Sequence, residues 1–196
     1  MVVTISADNG ELLAAAADGD QAAWAVLVDR YHNLLWSVAS GFRIDAADAA
    51  DAVQNTWLRL VENLDRVQDP QRLGAWLATT TRRECLQLIR RAARDRTDPA
   101  TEHLEQLPDP DDPVDADLLL GERDAALWRA LRTLSERCQR LLRVLMATPP
   151  PSYADVAAAL DMAIGTIGPT RQRCLDRLRT VAYADGLLRG GAEEPS

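Results

Sequence analysis

The chain has 196 residues, 47% of them hydrophobic, which is enough to bury one full core or two small ones and excludes wholesale disorder. Its net charge of −8 argues against a protein that coats DNA generally, so any contact with nucleic acid must be confined to particular faces. The three cysteines are widely separated and form no CxxC pair, which indicates neither a disulfide framework nor a zinc site. The chain has no signal pattern and no apolar stretch of membrane length, so we predict a cytoplasmic protein without metal or cofactor.

Helical periodicity dominates and strand-like alternation is missing, which predicts an all-α fold. In the first half, apolar spacing and turn residues predict helices over 8–17, 20–39, 45–64 and 71–94. Residues 95–115 then carry four prolines and few apolar side chains, a composition typical of a linker. The second half begins near Leu118, and its helical pattern is interrupted at Ser135 and again at Pro149. We therefore predict two small helical domains, 8–95 and 118–186, joined by an acidic Pro-rich linker at 96–117 and followed by a disordered tail at 187–196.

The helix predicted over 71–94 is strongly basic. Between Arg82 and Arg96, six arginines stand against two acids, a local balance of +4, and Trp76 precedes them. Arginine neutralises phosphate, while rings and guanidinium planes stack on unpaired bases, so this helix is suited to hold single-stranded nucleic acid. The candidate residues are Trp76, Thr79, Thr80, Arg82, Arg83, Arg90, Arg91 and Arg94. On this stretch alone, an ordinary amphipathic helix with solvated arginines remains an open alternative.

Residues 152–179 have the length and patterning of a helix-turn-helix. Ser152 and Asp155 form a capping-box pattern, and Asp161 stands where a short turn needs a left-handed residue. We predict that the second helix starts around Gly165-Thr166, with Thr166 as its cap and Pro169 in the first turn. Such a helix enters the major groove of duplex DNA. The candidates for its exposed edge and phosphate contacts are Thr166, Gly168, Pro169, Thr170, Arg171, Gln172, Arg173, Arg177 and Arg179. A plain helical hairpin with a solvated arginine face is the alternative.

Taken together, the two halves resemble the bacterial sigma-70 family, in its small two-domain extracytoplasmic-function (ECF) form, from about Asp18 to Leu178. The family pattern D-x-x-Q-x-x-F/W-L is met by Asp51, Gln54, Trp57 and Leu58. In the basic helix, the family residues are met by Trp76, Leu77, Arg82 and Arg90, while Arg83 replaces an Asn and Gln87 replaces an Asp. In the second domain, the pattern is met by Ser152, Tyr153, Asp155, Val156, Ala157, Leu160, Gly165, Thr166 and Ile167. Two departures there are Arg171, which falls where the family has an inward Leu, and Pro169, which lies inside the reading helix.

The resemblance implies a role for each half. The first would be a region 2 helical bundle that docks on the clamp coiled coil of the largest subunit of core RNA polymerase and holds the melted minus-ten promoter element. Its docking residues would be Asp51, Gln54, Asn55, Trp57 and Leu58. The second would be a region 4 domain that reads the minus-thirty-five element as duplex and contacts the polymerase flap. An anti-sigma factor is a further implied partner. The acidic linker would either thread polymerase channels or act as a simple tether.

An enzyme is not indicated by the sequence. The histidines, His32 and His103, lie in a helix and in the linker, and no phosphate loop or nucleophile–base pattern occurs.

Two other functions remain open from the sequence, a DNA-binding regulator and a protein adaptor. An autonomous helix-turn-helix regulator would bind a palindromic duplex without polymerase, although no heptad seam for a dimer is visible. A helical adaptor would bind only protein. A sigma factor, in contrast, should start transcription only together with core polymerase.

Overall fold

A computed structural model of the chain describes residues 8–95 and 122–184. Within these two ranges the regular structure is helical, and the all-α prediction is confirmed. The helices are α1 (Asn9–Ala17), α2 (Gln21–Ala39), α3 (Ala46–Val61), α4 (Leu73–Asp95), α5 (Glu122–Arg132), α6 (Glu136–Leu145), α7 (Tyr153–Leu160) and α8 (Ile164–Ala184). Two 3-10 turns, Leu64–Arg66 and Pro70–Arg72, connect α3 to α4. The predicted linker at 96–117, His103 within it, and the predicted tail at 187–196 lie outside the described residues.

Aspartates define where the helices of the first half begin. The side chain of Asp8 accepts a hydrogen bond from the backbone of Glu11, and that of Asp20 accepts from Ala22 and Ala23. Asp45 caps α3 in the same way through Asp48 N. Each carboxylate satisfies a backbone N–H that has no partner inside the helix and lies at the positive end of the helix dipole. These local signals explain why the starts of the first three helices match their predicted positions closely.

The core of the first half is built from leucines of α1 to α4. Leu27, Leu35, Leu60, Leu73 and Leu77 are each fully buried. The rings of Trp24 and Trp57 meet edge to face, with centroids 5.7 Å apart. Helices α3 and α4 are also joined by polar groups at their contact, where the hydroxyls of Thr56 and Thr81 lie 3.1 Å apart. The first half is therefore a bundle with its own apolar centre.

In the second half, the turn of the helix-turn-helix forms as predicted. Ser152 and Asp155 make a reciprocal capping box at the start of α7. Asp161 ends that helix in the left-handed conformation, with φ 55° and ψ 51°. The following helix begins at Ile164, one residue before the predicted start, and the predicted cap at Thr166 is wrong. Thr166 is consequently inside the helix, where its hydroxyl donates to the carbonyl of Ala163 instead of capping.

The early start of α8 also changes the position of Pro169. This proline lies in the second turn of the helix, not in the first turn as predicted. Proline has no N–H, so Pro169 cannot donate to the carbonyl of Gly165 one turn earlier. Gly165 is itself exposed, and an added Cβ there would meet nothing within 4 Å.

The cysteines behave differently from the sequence-based expectation of no disulfide. Cys138 of α6 and Cys174 of α8 are paired as a disulfide, with their Cα atoms 5.4 Å apart and a sequence separation of 36. Cys85 is a free thiol buried in α4. The expectation fails because the pairing depends on α6 packing against α8, and the spacing of the cysteines along the chain carries no sign of that contact.

The two halves of the chain pack against each other. The most extensive contact between any two described helices is that of α4 with α7. Leu34, Val38 and Ala78 of the first half share one buried apolar cluster with residues of the second half such as Leu141 and Val156. The guanidinium of Arg143 in α6 also donates to the backbone carbonyl of Ser40. In this arrangement, which we call the closed form, the second half covers one side of α2 and α4.

The ion pair between Arg59 and Glu84 supports a prediction about stability. Arg59 Nε lies 2.6 Å from a carboxylate oxygen of Glu84, whose side chain is only 9% exposed. Because Arg59→Met leaves a nearly buried carboxylate without this donor, we expect the free energy of unfolding to fall by about 1–3 kcal/mol. Urea denaturation of the full chain measures the loss.

Arg43→Met is the matched control. Arg43 also pairs with a glutamate, Glu136, at 2.7 Å, but the two side chains are 83% and 53% exposed. Water already solvates both charges, so its removal should change the free energy of unfolding by less than about 0.5 kcal/mol. Equal losses for the two variants would contradict the importance of burial at Glu84.

Candidate functional site

A basic cleft lies between α4 and the N-terminal part of the helix-turn-helix. Its volume is about 1070 Å³. Four of the residues predicted to hold a single strand line it, namely Trp76, Thr79, Thr80 and Arg83. The opposite wall is apolar and belongs to α7 and the turn after it, through residues such as Ala157 and Met162. The cleft therefore combines cationic and aromatic groups on one side with a cover supplied by the second half.

Sequence reasoning missed three arginines of this cleft. Arg59 comes from α3, while Arg66 and Arg72 come from the two 3-10 turns that connect α3 to α4. Their only sequence signal is that Arg66 and Arg72 flank the predicted turn at Asp69-Pro70. They line the cleft together with Arg83, but the acids Asp69 and Glu84 line it too. Because Arg59 pairs with Glu84, the positive charge of the cleft comes mainly from Arg66, Arg72 and Arg83.

The remaining candidates of α4 do not share this position. Arg82 points toward the second half, where its guanidinium lies 2.6 Å from a carboxylate oxygen of Asp161. Thr80 is 8% exposed, and its hydroxyl donates to the carbonyl of Trp76. Arg90, Arg91 and Arg94 lie farther along the helix, where they line a separate cleft with Gln87. The eight candidates thus form one cluster in the basic cleft, one interhelical contact and one distal arginine group.

The predicted reading helix, α8, presents most of its candidates on the surface. Arg171, Gln172, Arg173 and Arg177 are exposed, as are Thr166 and Pro169, while Gly168 is half-buried. Thr170 is an exception to the predicted exposed edge, because it is only 6% exposed. Its position three residues after Ile167 and four before Cys174 places it on the buried stripe of the helix.

Intrahelical contacts already hold several of these side chains. Arg173 donates to the carbonyl of Pro169 and to the hydroxyl of Thr170, both at 3.3 Å. Asp176 accepts from Gln172 at 3.0 Å and pairs with Arg179 at 2.9 Å. Binding of DNA would have to compete with these bonds, most of which are exposed and therefore weak.

A third surface is apolar and belongs entirely to α2 and α3. Gln54, Leu58 and Val61 follow one another at helical spacing on α3, and Leu58 and Val61 are each 52% exposed. Trp36 of α2 is 39% exposed, and together with Trp57 these residues line a depression of about 310 Å³. We call this the α2–α3 surface. Of its residues, Trp36 and Val61 were missed from the sequence because they lie outside the recognised motif.

The predicted docking residues differ in how they contribute to this surface. Asp51, Gln54 and Leu58 are exposed, whereas Asn55 and Trp57 are half-buried. Near Asp51, the pKa of Asp48 is raised by burial and then by its neighbours Asp45 and Asp51. The start of α3 is therefore a concentrated negative edge beside an apolar depression.

Comparisons with known proteins give a consistent result. Residues 27–95 match the family described as sigma-70 region 2. The ECF RNA polymerase sigma factor SigM of Mycobacterium tuberculosis (strain Erdman) is 30% identical over 183 residues, covering 93% of this chain and 87% of that protein.

Two solved structures are similar in fold as well as sequence. CnrH, in complex with the cytosolic domain of CnrY, is 27% identical with a TM-score of 0.56, covering 90% of this chain and 98% of that chain. The sigma factor RpoE from Bartonella quintana, in complex with the anti-sigma factor NepR, is 26% identical with a TM-score of 0.51, covering 77% and 91%. Among the residues that the structure describes here, no helix combines the length and apolar character needed to cross a membrane.

The close approach at Gly74 leads to a test of the closed form. A Cβ on Gly74 would lie 2.6 Å from a carboxylate oxygen of Asp155, and that carboxylate is held by its bond from Ser152 N. We expect Gly74→Leu to force α7 away from α4 and to raise the radius of gyration by several ångströms in small-angle X-ray scattering.

Gly165→Leu is the matched control, because a Cβ there meets no atom within 4 Å. It should leave the radius of gyration unchanged. Circular dichroism should give the same helix content for both variants and the parent chain. An unchanged radius for Gly74→Leu would mean that α4 and α7 adjust to the added side chain without separating.

Proposed function

The chain belongs to the ECF sigma factors of the sigma-70 family, and on that premise we propose that it binds core RNA polymerase, directs it to promoters and assists strand opening. The observation that carries the proposal is similarity over 183 residues to a polymerase sigma factor, which extends through both halves of the chain. The protein supplies promoter selectivity, and the chemistry of RNA synthesis remains with the polymerase. It acts in the cytoplasm, where the polymerase works.

The α2–α3 surface is the proposed polymerase-docking site. It gathers large apolar side chains, Trp36, Leu58 and Val61, at the solvent side of the molecule. A cluster of this kind, bordered by the carboxylates of Asp48 and Asp51, suits a partner that presents helices with apolar and basic side chains. A clamp coiled coil has that form.

The basic cleft is the proposed site for the melted minus-ten strand. Arg66, Arg72 and Arg83 line it and can neutralise backbone phosphates. The half-buried ring of Trp76 can stack on an unpaired base, which adds binding energy without needing a base pair. For duplex DNA at the minus-thirty-five element, the exposed edge of α8 fits the major groove.

The closed form cannot contact both elements at once. Their names place them roughly 25 base pairs apart, which is about 85 Å of duplex at about 3.4 Å per base pair. In the closed form, α4 and the helix-turn-helix are in direct contact through Arg82 and Asp161. We therefore propose that α7 leaves the basic cleft when polymerase binds. Residues 96–121 number 26, enough for a reach of up to ~90 Å when fully extended.

The likeness to a sigma factor solved together with an anti-sigma factor supports one further partner. We propose that this chain is also held inactive by an anti-sigma protein. The α2–α3 surface is its expected contact, because a protein bound there would compete directly with polymerase.

Run-off transcription with purified core polymerase tests the proposed function. Discrete start sites should appear on genomic promoter fragments only when the chain and core polymerase are both present. Tight binding of the chain alone to a palindromic duplex, with no effect on start sites, would instead indicate an autonomous regulator. A chain that gave neither result would be an adaptor.

Docking is tested by Gln54→Ala combined with Leu58→Ser. Leu58 is preferred to Trp57 because the Trp57 ring packs on Trp24 and its removal would also damage the core. Loss of an exposed apolar anchor should weaken the affinity for core polymerase at least about tenfold in fluorescence anisotropy. Tyr183→Ser is the control and should bind normally, because it removes from α8 an apolar side chain about as exposed as that of Leu58. Unchanged affinity of the double variant would rule out this docking surface.

Duplex recognition is tested by Arg173→Ala. Transcription should fall on a promoter with its upstream element and change little on the same template with that element replaced. If Arg173 contacts phosphate, the slope of log affinity against log salt should also flatten by about 1. Arg43→Ala, which removes an exposed arginine far from α8 in sequence, is the control. Equal loss on both templates would count against an upstream contact.

A further inference from the structure

We propose that Cys138 and Cys174 form a redox switch in the helix-turn-helix half, a dithiol in reducing conditions and a disulfide linking α6 to α8 in the presence of a low-molecular-weight disulfide. The effect of this switch on promoter use rests on the proposed function. The formation of the bond and its effect on stability do not.

The positions of the two cysteines support bond formation. Their Cα atoms are 5.4 Å apart, inside the range that a disulfide spans without backbone movement. Both belong to one buried cluster with Leu141 and Ile167, so apolar packing keeps α6 against α8 whether or not the bond is present. The two sulfurs should therefore remain neighbours after reduction, which allows the bond to form again.

A small cleft gives reagents access to the pair. The cleft has a volume of about 350 Å³, and both cysteines line it together with Arg173 and Arg177. Cys138 is 7% exposed and Cys174 only 1%, so an incoming reagent reaches Cys138 first. The arginines attract the carboxylates of a glutathione-like disulfide, although Asp176 also lines the cleft and offsets part of their charge.

Cys85 lacks these features. It is fully buried in α4, and burial raises the pKa of its thiol to about 12. At neutral pH it therefore remains protonated, and the thiol form is a poor nucleophile. It provides an internal control for any reagent that acts on the Cys138–Cys174 pair.

The proposed reaction is two successive thiol–disulfide exchanges. The Cys138 thiolate attacks one sulfur of the small disulfide, which forms a mixed disulfide and releases one small thiolate. The Cys174 thiolate then attacks the Cys138 sulfur and releases the second small thiolate. In total, two protein thiols lose two electrons and two protons, and the small disulfide gains them to become two thiols.

The bond encloses most of the helix-turn-helix and ends at Cys174 within α8. The 36-residue separation between the cysteines contains α7, the turn at Asp161 and the exposed start of α8. A covalent closure of this loop restricts the unfolded chain and so stabilises the folded reading unit. Disulfides of proteins that work in a reducing compartment are usually transient and redox-sensing. Oxidation should therefore protect the reading helix under oxidising stress.

The first experiment maps the bond in the full chain. The protein is equilibrated in buffers of increasing oxidised-to-reduced glutathione ratio, alkylated, and digested with trypsin. We expect a reversible transition in which the peptides 138–140 and 174–177 become joined while Cys85 stays a thiol. A pair that stays reduced in oxidised glutathione, or oxidised in excess dithiothreitol, would overturn the proposal. So would a bond or lasting mixed disulfide at Cys85.

The second experiment measures the consequence without relying on a variant that could misfold. The oxidised chain should melt higher than the reduced chain, by on the order of 10 °C for a loop of this size. Cys138→Ala and Cys174→Ala should each abolish the difference between the two buffers, and Cys85→Ala should retain it. Equal melting of the oxidised and reduced parent chain would overturn the stabilising role.

A transcription readout separates this inference from the proposed function. The chain is oxidised or reduced, freed of reagent, heated for increasing times and then mixed with core polymerase. We expect a several-fold longer half-life of run-off activity for the oxidised chain, and equal half-lives would overturn the protective effect. Absence of transcription from both forms would refute the proposed function, while peptide mapping and melting would still decide the switch.

Discussion

The close approach of α4 and α7 is the constraint on which the arrangement of the two halves depends. Gly74 allows it, because any Cβ at that position would collide with the carboxylate of Asp155. Asp155 cannot move away easily, since it accepts the Ser152 N–H in the capping box that starts α7. One residue without a side chain thus joins the basic helix of the first half to the supporting helix of the second.

The forces across this contact differ in strength from those inside each half. The ion pair of Arg82 with Asp161 is largely exposed on the Asp161 side, so it contributes at most about 1 kcal/mol. Within the first half, by contrast, the carboxylate of Glu84 is nearly buried against Arg59. The shared apolar cluster around Leu34 and Val38 still holds the halves together. The two halves should consequently separate only when a binding partner stabilises the open arrangement. Neither half needs to unfold for this separation.

The α2–α3 surface is independent of this contact. The residues that line its depression come from α2 and α3 alone, so the closed form leaves it open to solvent. In the proposed function, polymerase would bind there first and separate the halves afterwards, when the basic cleft and the α8 edge would gain DNA as an alternative partner. An inhibitory protein bound to the same surface would prevent the first step without touching either proposed DNA-binding surface.

The sequence alone determined the family and most of the helix starts, with the cap predicted at Thr166 as the exception. Asp8, Asp20, Asp45 and Ser152 cap helices through bonds to residues two or three positions away, and Asp161 adopts the predicted left-handed conformation. Contacts between residues so close in sequence can be recognised from the order of the residues alone. Only the tertiary structure decided the bond of Cys138 with Cys174, the pairing of Arg82 with Asp161 79 residues away, and the burial of Thr170. These depend on how whole helices pack, and packing is set by the summed shape of many side chains, which no local motif encodes.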